Sequence, residues 1–498
     1  MSKGNRKREA QAAKQLKRLE QEKFEAKKRR VRKITTIVTV VLLAALFATL
    51  IGGCAAQNIK LNRGEYLRRE IAASSKNIDV DGAMMNYFFN DTYNSFMSYY
   101  GSYISYFGLD PSVSLKLQQV SETETWFAYL MSGAKDTVTN TLKLCEAAKA
   151  DGVSLTDAEI AAVRARADRT DASLYGRGTN KNDIFNATLL EALAYKYQLI
   201  KENELTPTDA DIDARYENST KSYQFVDYVS FPLYFVDSEK DVKPARDQKV
   251  IITEEDVKGF SEQLKAATTV DEFKAAATDV LKAENADIAE KDIETALAAI
   301  ATADAVYTKD DKVSEWAFDA KVGDTYVAVD AEKCTYTVYM LTEEAHRDEA
   351  RTINVRHVLL YDDTYKNREG ALEKAEELLA QFKAGDMSTD AFALMALQYS
   401  EDPGSCYTGG LYLNVTEGAM VENFDKWCFE DGRAAGDTGI VESDYGVHIM
   451  YFDGEGGEVW QATVSNNIIS EGLEKLDAEW TKQYTVEFDN TVLNSIPG

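Results

Sequence analysis

Three residue groups in the second half of the chain have the types and spacing for chemistry at a pocket. His357 lies in Val355-Arg-His-Val-Leu359 and His448 in Tyr445-Gly-Val-His-Ile449, both apolar runs that read as strands, in a chain with only 3 His among 498 residues. Two imidazoles on apolar strands of one domain either satisfy each other as a buried pair or offer ring nitrogens to a site. Asp402 precedes Pro403-Gly404, which is good turn chemistry, so its carboxylate either closes that turn or stands at a pocket rim. Met420 and Phe424 are four residues apart and should share one helical face, as core packing or as an apolar grip. A zinc site is not expected, because the 3 His and 5 scattered Cys show none of the paired spacings such a site uses.

The elements that must hold these groups occur twice. Downstream, a strand over 353–360 leads to helices over 368–382 and 390–399, then Trp427-Cys-Phe429, Gly436-Asp-Thr438 and a strand over 447–452. Upstream, a strand over 222–231 leads to a helix from about 254, a shorter one near 270–280, Trp316-Ala-Phe318, Gly323-Asp-Thr325 and a strand over 335–341. The offset is 111 residues at Trp-x-Phe and 113 at Gly-Asp-Thr, the drift of a diverged duplication. Two tandem α+β domains are therefore expected, at 222–345 and 350–456. The upstream copy has no histidine between 223 and 341 and no Ser-Glu-Asp-Pro-Gly before Trp316, so it should be catalytically silent. His346 falls in a charged linker, Glu343-Glu-Ala-His-Arg-Asp-Glu349, where a solvated ring is expected.

The downstream copy also contains Tyr399-Ser-Glu-Asp-Pro-Gly-Ser405, Gly409-Gly410 and Gly418-Ala-Met-Val-Glu-Asn-Phe424. Together with the two histidine strands, over about 100 residues and in the right order, these motifs resemble the parvulin-type peptidyl-prolyl isomerase domain. The resemblance makes His357 and His448 the paired histidines at the floor of the site and Asp402 the polar residue at its rim. It makes Met420 and Phe424 the cup for a proline ring, with Tyr412 on the wall and Ser443 near His448. It implies no cofactor. One departure is visible: the family usually continues Gly-Gly-Asp-Leu-Gly, whereas this chain has Gly409-Gly-Leu-Tyr-Leu413. The residues suit that chemistry, because rotation about an X-Pro bond needs no covalent step. It needs an apolar grip on the ring and polar groups that favour the twisted amide over the planar one.

Charge and hydropathy place this domain in a larger plan. Residues 1–33 hold 14 Lys/Arg against 4 Glu, a balance of +10, so the rest of the chain carries 37 net negative charges beneath a total of -27. Such an acidic body is not a nucleic-acid binder. No charge occurs between Lys33 and Lys60, and 34–53 is long enough to cross a bilayer. The basic cluster before it keeps residues 1–33 cytoplasmic and exports the rest. A cleaved signal peptide would have shorter basic and apolar regions, and Ile51-Gly-Gly-Cys54 loosely resembles a lipidation signal. Residues 60–221 read as helical, and a helical stripe over 468–484 lies in a C-terminal segment at 458–498. Phe89, Tyr93, Phe96, Tyr100, Tyr103 and Phe107 form one aromatic stripe, expected to pack in a core or, alternatively, to cradle unfolded chains.

The fold expected is thus α+β: a transmembrane helix, a helical chaperone-like domain, two tandem parvulin-like domains with the first degenerate, and a returning C-terminal helix. This layout resembles the extracytoplasmic foldases of the PrsA and SurA type. That resemblance implies that 458–498 completes the 60–221 domain, its helix packing back on it, and that the chain is a membrane-held isomerase acting on unfolded exported proteins with X-Pro bonds; the alternative is a holdase without turnover.

Overall fold

The computed structural model describes residues 64–237, 239–240, 246 and 248–498. The span 34–53 expected to cross a membrane, and Cys54, lie outside these residues. Among the described residues no helix is long and apolar enough to cross a membrane. The chain forms two compact units, one of residues up to Glu146 with Ala167–Leu190 and Thr485–Gly498, the other of Ala147–Arg166 with Glu191–Tyr484.

In the first unit, strands β1 (Ile71–Ser74) and β2 (Asp79–Asp81) form a hairpin whose open edge takes a strand from near the C-terminus. Asp81 caps helix α1 (Gly82–Tyr100), its carboxylate accepting from the Ala83 and Met84 amides. Helices α2 (Trp126–Ala150), α3 (Asp157–Arg169) and α4 (Lys181–Leu205) follow. Phe88, Phe89, Trp126, Leu130 and Leu142 are buried in one core with residues of α1 and α2. The aromatic stripe divides. Phe89 is buried, Tyr93 and Phe96 pack on the core's edge, and Tyr100, Tyr103 and Phe107 are exposed. The α-helix stops at Tyr100 and a 3-10 helix over Gly101–Phe107 takes its place, so a spacing that would stack rings along an α-helix fans them outward.

The second unit contains both duplicated sheets. Helix α5 (Asp209–Asn218) leads into β3 (Phe225–Tyr234), α6 (Glu254–Lys265), α7 (Val270–Glu284), α8 (Glu290–Ala298), β4 (Ala301–Val306), α9 (Lys312–Ala317), β5 (Thr325–Asp330) and β6 (Thr335–His346). The second copy runs β7 (Arg351–Leu360), α10 (Arg368–Ala384), α11 (Thr389–Tyr399), β8 (Leu411–Thr416), α12 (Glu422–Phe429), β9 (Thr438–Ser443) and β10 (Gly446–Glu458). The sheets share one antiparallel order, β4-β3-β6-β5 and β8-β7-β10-β9. The Gly-Asp-Thr motifs build the same corner in each. Gly323 and Gly436 take φ of +88° and +92° and donate their amides to the Leu341 and Phe452 carbonyls, while the Leu341 and Phe452 amides return to the carbonyls of Asp324 and Asp437. Two calls shift. The upstream copy has a helix, α8, that the sequence did not signal, and β6 runs on to His346, which is half-buried in the sheet rather than solvated in a linker.

Helix α13 (Val459–Gln483) starts nine residues earlier than the 468 expected and packs on α5: Trp460 and Val464 are buried with Ile212 and Tyr223, and the Arg347 guanidinium lies over the indole. After it come β11 (Glu487–Phe488), which pairs with β1, and α14 (Asn490–Ser495). The sequence expected one helical domain over 60–221 completed by 458–498. The compact division runs through it instead, because α2, α3 and α4 are long enough to supply residues to two cores, and 485–498 join the first. Trp460→Ala should lower stability by about 3 kcal/mol, as expected for a large buried ring on a helix contact. Denaturant unfolding followed by circular dichroism would read it, and a loss below about 1 kcal/mol would mean that α13 is not held through this ring.

Candidate active site

Strand alternation places the site. Along β10, Val447, Ile449 and Tyr451 face α10 and α11, while Met450 and Phe452 join Ile353, Val355, Phe424 and Cys428 on the other side of the sheet. His448 and His357 have the parity of that second side. They are diagonal neighbours, since His448 pairs with Leu359 and His357 with Met450 in the strand register, and their side chains meet across the diagonal. The rings stack with centroids 5.3 Å apart, and Nδ1 stands 3.1 Å from Nδ1. Both residues are 4% exposed.

A polar chain runs through this apolar setting. His357 Nε2 lies 3.1 Å from Asp402 Oδ2, which also accepts from the Ser405 hydroxyl and, at 3.1 Å, from the Tyr412 phenol. At the other end His448 Nε2 is 2.7 Å from Ser443 Oγ, which accepts the Tyr445 amide at 3.1 Å. Burial alone would raise the Asp402 carboxyl, but the hydrogen bonds from His357 and Ser405 outweigh it and hold the group well below the usual carboxylate range. Burial, reinforced by the neighbouring His357, drives His448 down to about 3. An ionised Asp402 can only accept, so His357 donates from Nε2. The Nδ1–Nδ1 contact and the Ser443 hydroxyl engage the remaining ring nitrogens, so every nitrogen of the pair has a polar partner.

Phe424 seals the pair: its ring meets both imidazoles edge-on, with centroids 5.4 Å from each. Met420 packs in the same cluster, but the shared helical face expected of it does not exist. Helix α12 begins at Glu422, and Met420 precedes its N-cap, Val421. The altered wall joins the polar chain through Tyr412. Tyr412 lies 5.3 Å from the His357 ring, and burial and then the Asp402 charge push its phenol up to about 12, so it stays a hydrogen-bond donor. All seven residues singled out from sequence are within or beside this cluster.

Two participants were missed. Ser405 bonds Asp402 and also lies 3.3 Å from His357 Nε2; its position three after Asp402 in the Asp-Pro-Gly-Ser run was the available signal. Ser400 is fully buried, and its hydroxyl takes the Leu359 and Asp402 amides, fixing the turn from inside. Gly410, at φ +76°, lies so close to His357 that a Cβ would stand 2.3 Å from the His357 carbonyl. The four described cysteines are buried and form no disulfide among the described residues; burial pushes Cys428 in the site cluster up to about 12. In the upstream copy the strand registers place Ser230 where His357 stands and Thr337 where His448 stands. Outside this site, Asp227, Glu343 and His346 bring one ligand atom each within 4.8 Å of one another, a grouping on two strands that sequence spacing could not signal.

The family comparison agrees with this geometry. Residues 338–454 match the PPIC-type PPIase domain family. The chain carries a parvulin-type isomerase domain. It is 32% identical over 98 residues to foldase protein PrsA 1 of Listeria monocytogenes serotype 4b (strain F2365), and similarly to that of Listeria innocua serovar 6a. The match covers 20% of this chain and spans 29% of the relative's length. Among solved structures, the PPIase domain of TbPar42 is 28% identical, covering 20% of this chain and 98% of that one, with a TM-score of 0.18. PrsA from Bacillus subtilis is 26% identical, covering 26% of this chain and 49% of that one, with a TM-score of 0.19.

The buried histidine gives a pH prediction. With His448 at about 3 in the fold and 6.5 unfolded, the unfolded chain binds a proton in that window that the folded chain refuses. Its contribution is full above pH 6.5 and falls as pH drops, by at most about 1.4 kcal/mol per pH unit. Asp402, lowered in the fold, adds a loss only as pH falls below about 4. Urea midpoints from pH 7 to 4 should show the slope, and His448→Asn should flatten it; an unaltered slope in the variant would place the titration elsewhere.

Proposed function

We propose that the whole chain is a membrane-anchored extracytoplasmic peptidyl-prolyl cis/trans isomerase and foldase for exported proteins. The observation that supports it is the hydrogen-bonded chain Ser443–His448–His357–Asp402 beside the cup of Phe424, Met420 and Tyr412. An X-Pro amide faces a rotational barrier of about 18–20 kcal/mol. In this reading the cup holds the proline ring while the preceding carbonyl turns. Asp402 and the imidazoles keep a fixed field along the wall, so the polar twisted amide is solvated without reorganisation. No bond to the protein forms. Residues 350–456 are the isomerase domain, 222–345 its silent copy, and 60–221 with 458–498 a chaperone region. Residues 1–33 are cytoplasmic, and 34–53 are the anchor in the bilayer.

Exchange NMR on an Ala-Pro peptide with the full chain tests the activity. Phe424→Ala should cut kcat/KM by at least about tenfold, or ~1.4 kcal/mol, with part of the loss in KM, and Asp402→Asn should lower kcat. A folded wild-type chain with no acceleration over a panel of X-Pro peptides would reject the enzyme reading.

The exposed aromatic run favours a second reading, the holdase. Tyr99, Tyr103 and Tyr106 are 79%, 60% and 86% exposed, in a stretch from Thr92 to Leu109 with no charge, where rigid rings offer contact area at low entropic cost. Replacing His357, Asp402 and Met420 should abolish isomerisation yet leave suppression of client aggregation intact. The anchor is tested separately. The full chain should stay with membranes through a high-salt wash, whereas a chain starting near Lys60 should be soluble; release of the full chain by salt alone contradicts the anchor.

A further inference from the structure

The turn that carries Asp402 is gripped from two sides. From within the sheet, the Arg356 guanidinium, paired to Asp453 at 2.9 Å, donates to the carbonyls of Thr408 and Gly409 at 3.3 and 3.2 Å. The second grip comes from helices far upstream in sequence but in the same compact unit. Arg166 of α3 donates to the Ser400 carbonyl at 2.6 Å, with its other terminal nitrogen 3.5 Å from Cys406 Sγ. Its guanidinium lies 5.5 Å from the centre of the Tyr407 ring. Tyr407 in turn donates its phenol to Glu191 of α4 at 2.9 Å and stacks on Tyr195 one helical turn further along, at 5.3 Å and 10°. Glu191 is 8% exposed, an unusual place for a carboxylate unless it has a task.

We propose that Arg166, with Glu191 and Tyr407 behind it, is a positioning residue that sets Asp402 against His357, so that the helical segment governs the isomerase site. The proposal rests on the isomerase reading above. Arg166 holds the turn two residues before Asp402 and four residues after it, at Ser400 and Cys406. Between those points lie Asp402 and Ser405, the two groups that bond His357 Nε2. The Cys406 amide also donates back to the Asp402 carbonyl at 3.1 Å, so a shift at Cys406 moves Asp402 directly. Ser400 is fully buried, and without Arg166 its carbonyl would lose a charge-assisted partner. The turn would then relax toward another donor. Misplacing a carboxylate by about 1 Å is enough to cost a site much of its rate. Tyr407 carries the same restraint to α4, since its ring and hydroxyl are both engaged there.

The test uses the full chain with isotopically labelled histidine, which gives only three imidazoles, His346, His357 and His448. In Arg166→Ala the His357 and His448 resonances should move while His346 stays fixed. On the Ala-Pro peptide kcat should fall about tenfold with KM within about twofold, the signature of lost transition-state stabilisation. Arg166→Lys should recover part of the rate by reaching the Ser400 carbonyl. Combining Arg166→Ala with Asp402→Asn should be no slower than Asp402→Asn alone, because the arginine acts through that carboxylate. Unmoved imidazole signals, or rate losses that multiply in the double variant, would overturn the proposal. Tyr407→Phe, which removes only the bond to Glu191, should shift the same two resonances less, and decides the matter if Arg166→Ala does not fold. If the wild-type chain accelerates nothing, the isomerase reading fails, while the imidazole spectra still decide whether Arg166 positions Asp402.

Discussion

The hydrogen bond between His357 and Asp402 is the constraint on which the rest of the site depends. Two imidazoles buried in an apolar sheet face are costly unless every nitrogen has a partner, and each ring can supply only one donor while neutral. A carboxylate held ionised at one end and a serine hydroxyl at the other solve this together, because each takes the outer nitrogen of one ring while the inner nitrogens meet each other. The surrounding architecture serves that arrangement. The period of two on β7 and β10 brings both rings to one face. Gly410 lets the backbone pass close beside His357, and Ser400 pins the turn that delivers Asp402. The Tyr412 departure from the usual wall fits the same scheme, since its phenol adds a third donor to the same oxygen that Ser405 and His357 use.

The two copies separate scaffold from site. Both have the same strand order and the same corner at Gly-Asp-Thr, so the fold is held by residues common to both. The upstream sheet has Ser230 and Thr337 at the registers of the histidines, side chains too short to meet across a strand diagonal as the rings do. The scaffold therefore folds without the polar chain, and the chain is an addition that one copy has and the other lacks.

What the sequence made legible follows the range of the interactions. Strand alternation, helix periodicity and the twin Gly-Asp-Thr motifs are local, and they located both sheets, whereas the pairing of the histidines and the place of Asp402 came from the resemblance of the motifs to the parvulin domain. Met420 was misjudged because four-residue spacing was read as helix, whereas α12 starts after it and the contact is made by a loop. His346 was misjudged because a charged run was read as linker, although β-pairing with β3 continues through it. The aromatic stripe was half right, failing where the helix tightens to 3-10 geometry. Arg166 and Glu191 left no local signal at all. They lie more than 200 residues from the turn they hold, and on their own helices they read as ordinary polar positions.

The pairing of β1 with β11 has a consequence for the order in which the molecule can assemble. Ala73 and Ser74 pair with Val80 and Asp79 in the hairpin but find their partners on the other edge only at Phe488 and Glu487, after the whole second unit has been made. A chain leaving a ribosome or a translocation channel therefore completes its local sheets and turns first, and the first unit must wait with one sheet edge open. The entropy of closing so long a span rises only with the logarithm of its length, and the folded unit between shortens it further. The wait is the larger effect. An open strand edge, in a unit that also exposes a run of tyrosines, is sticky, so until its last strand arrives this protein is itself a chain in need of shelter.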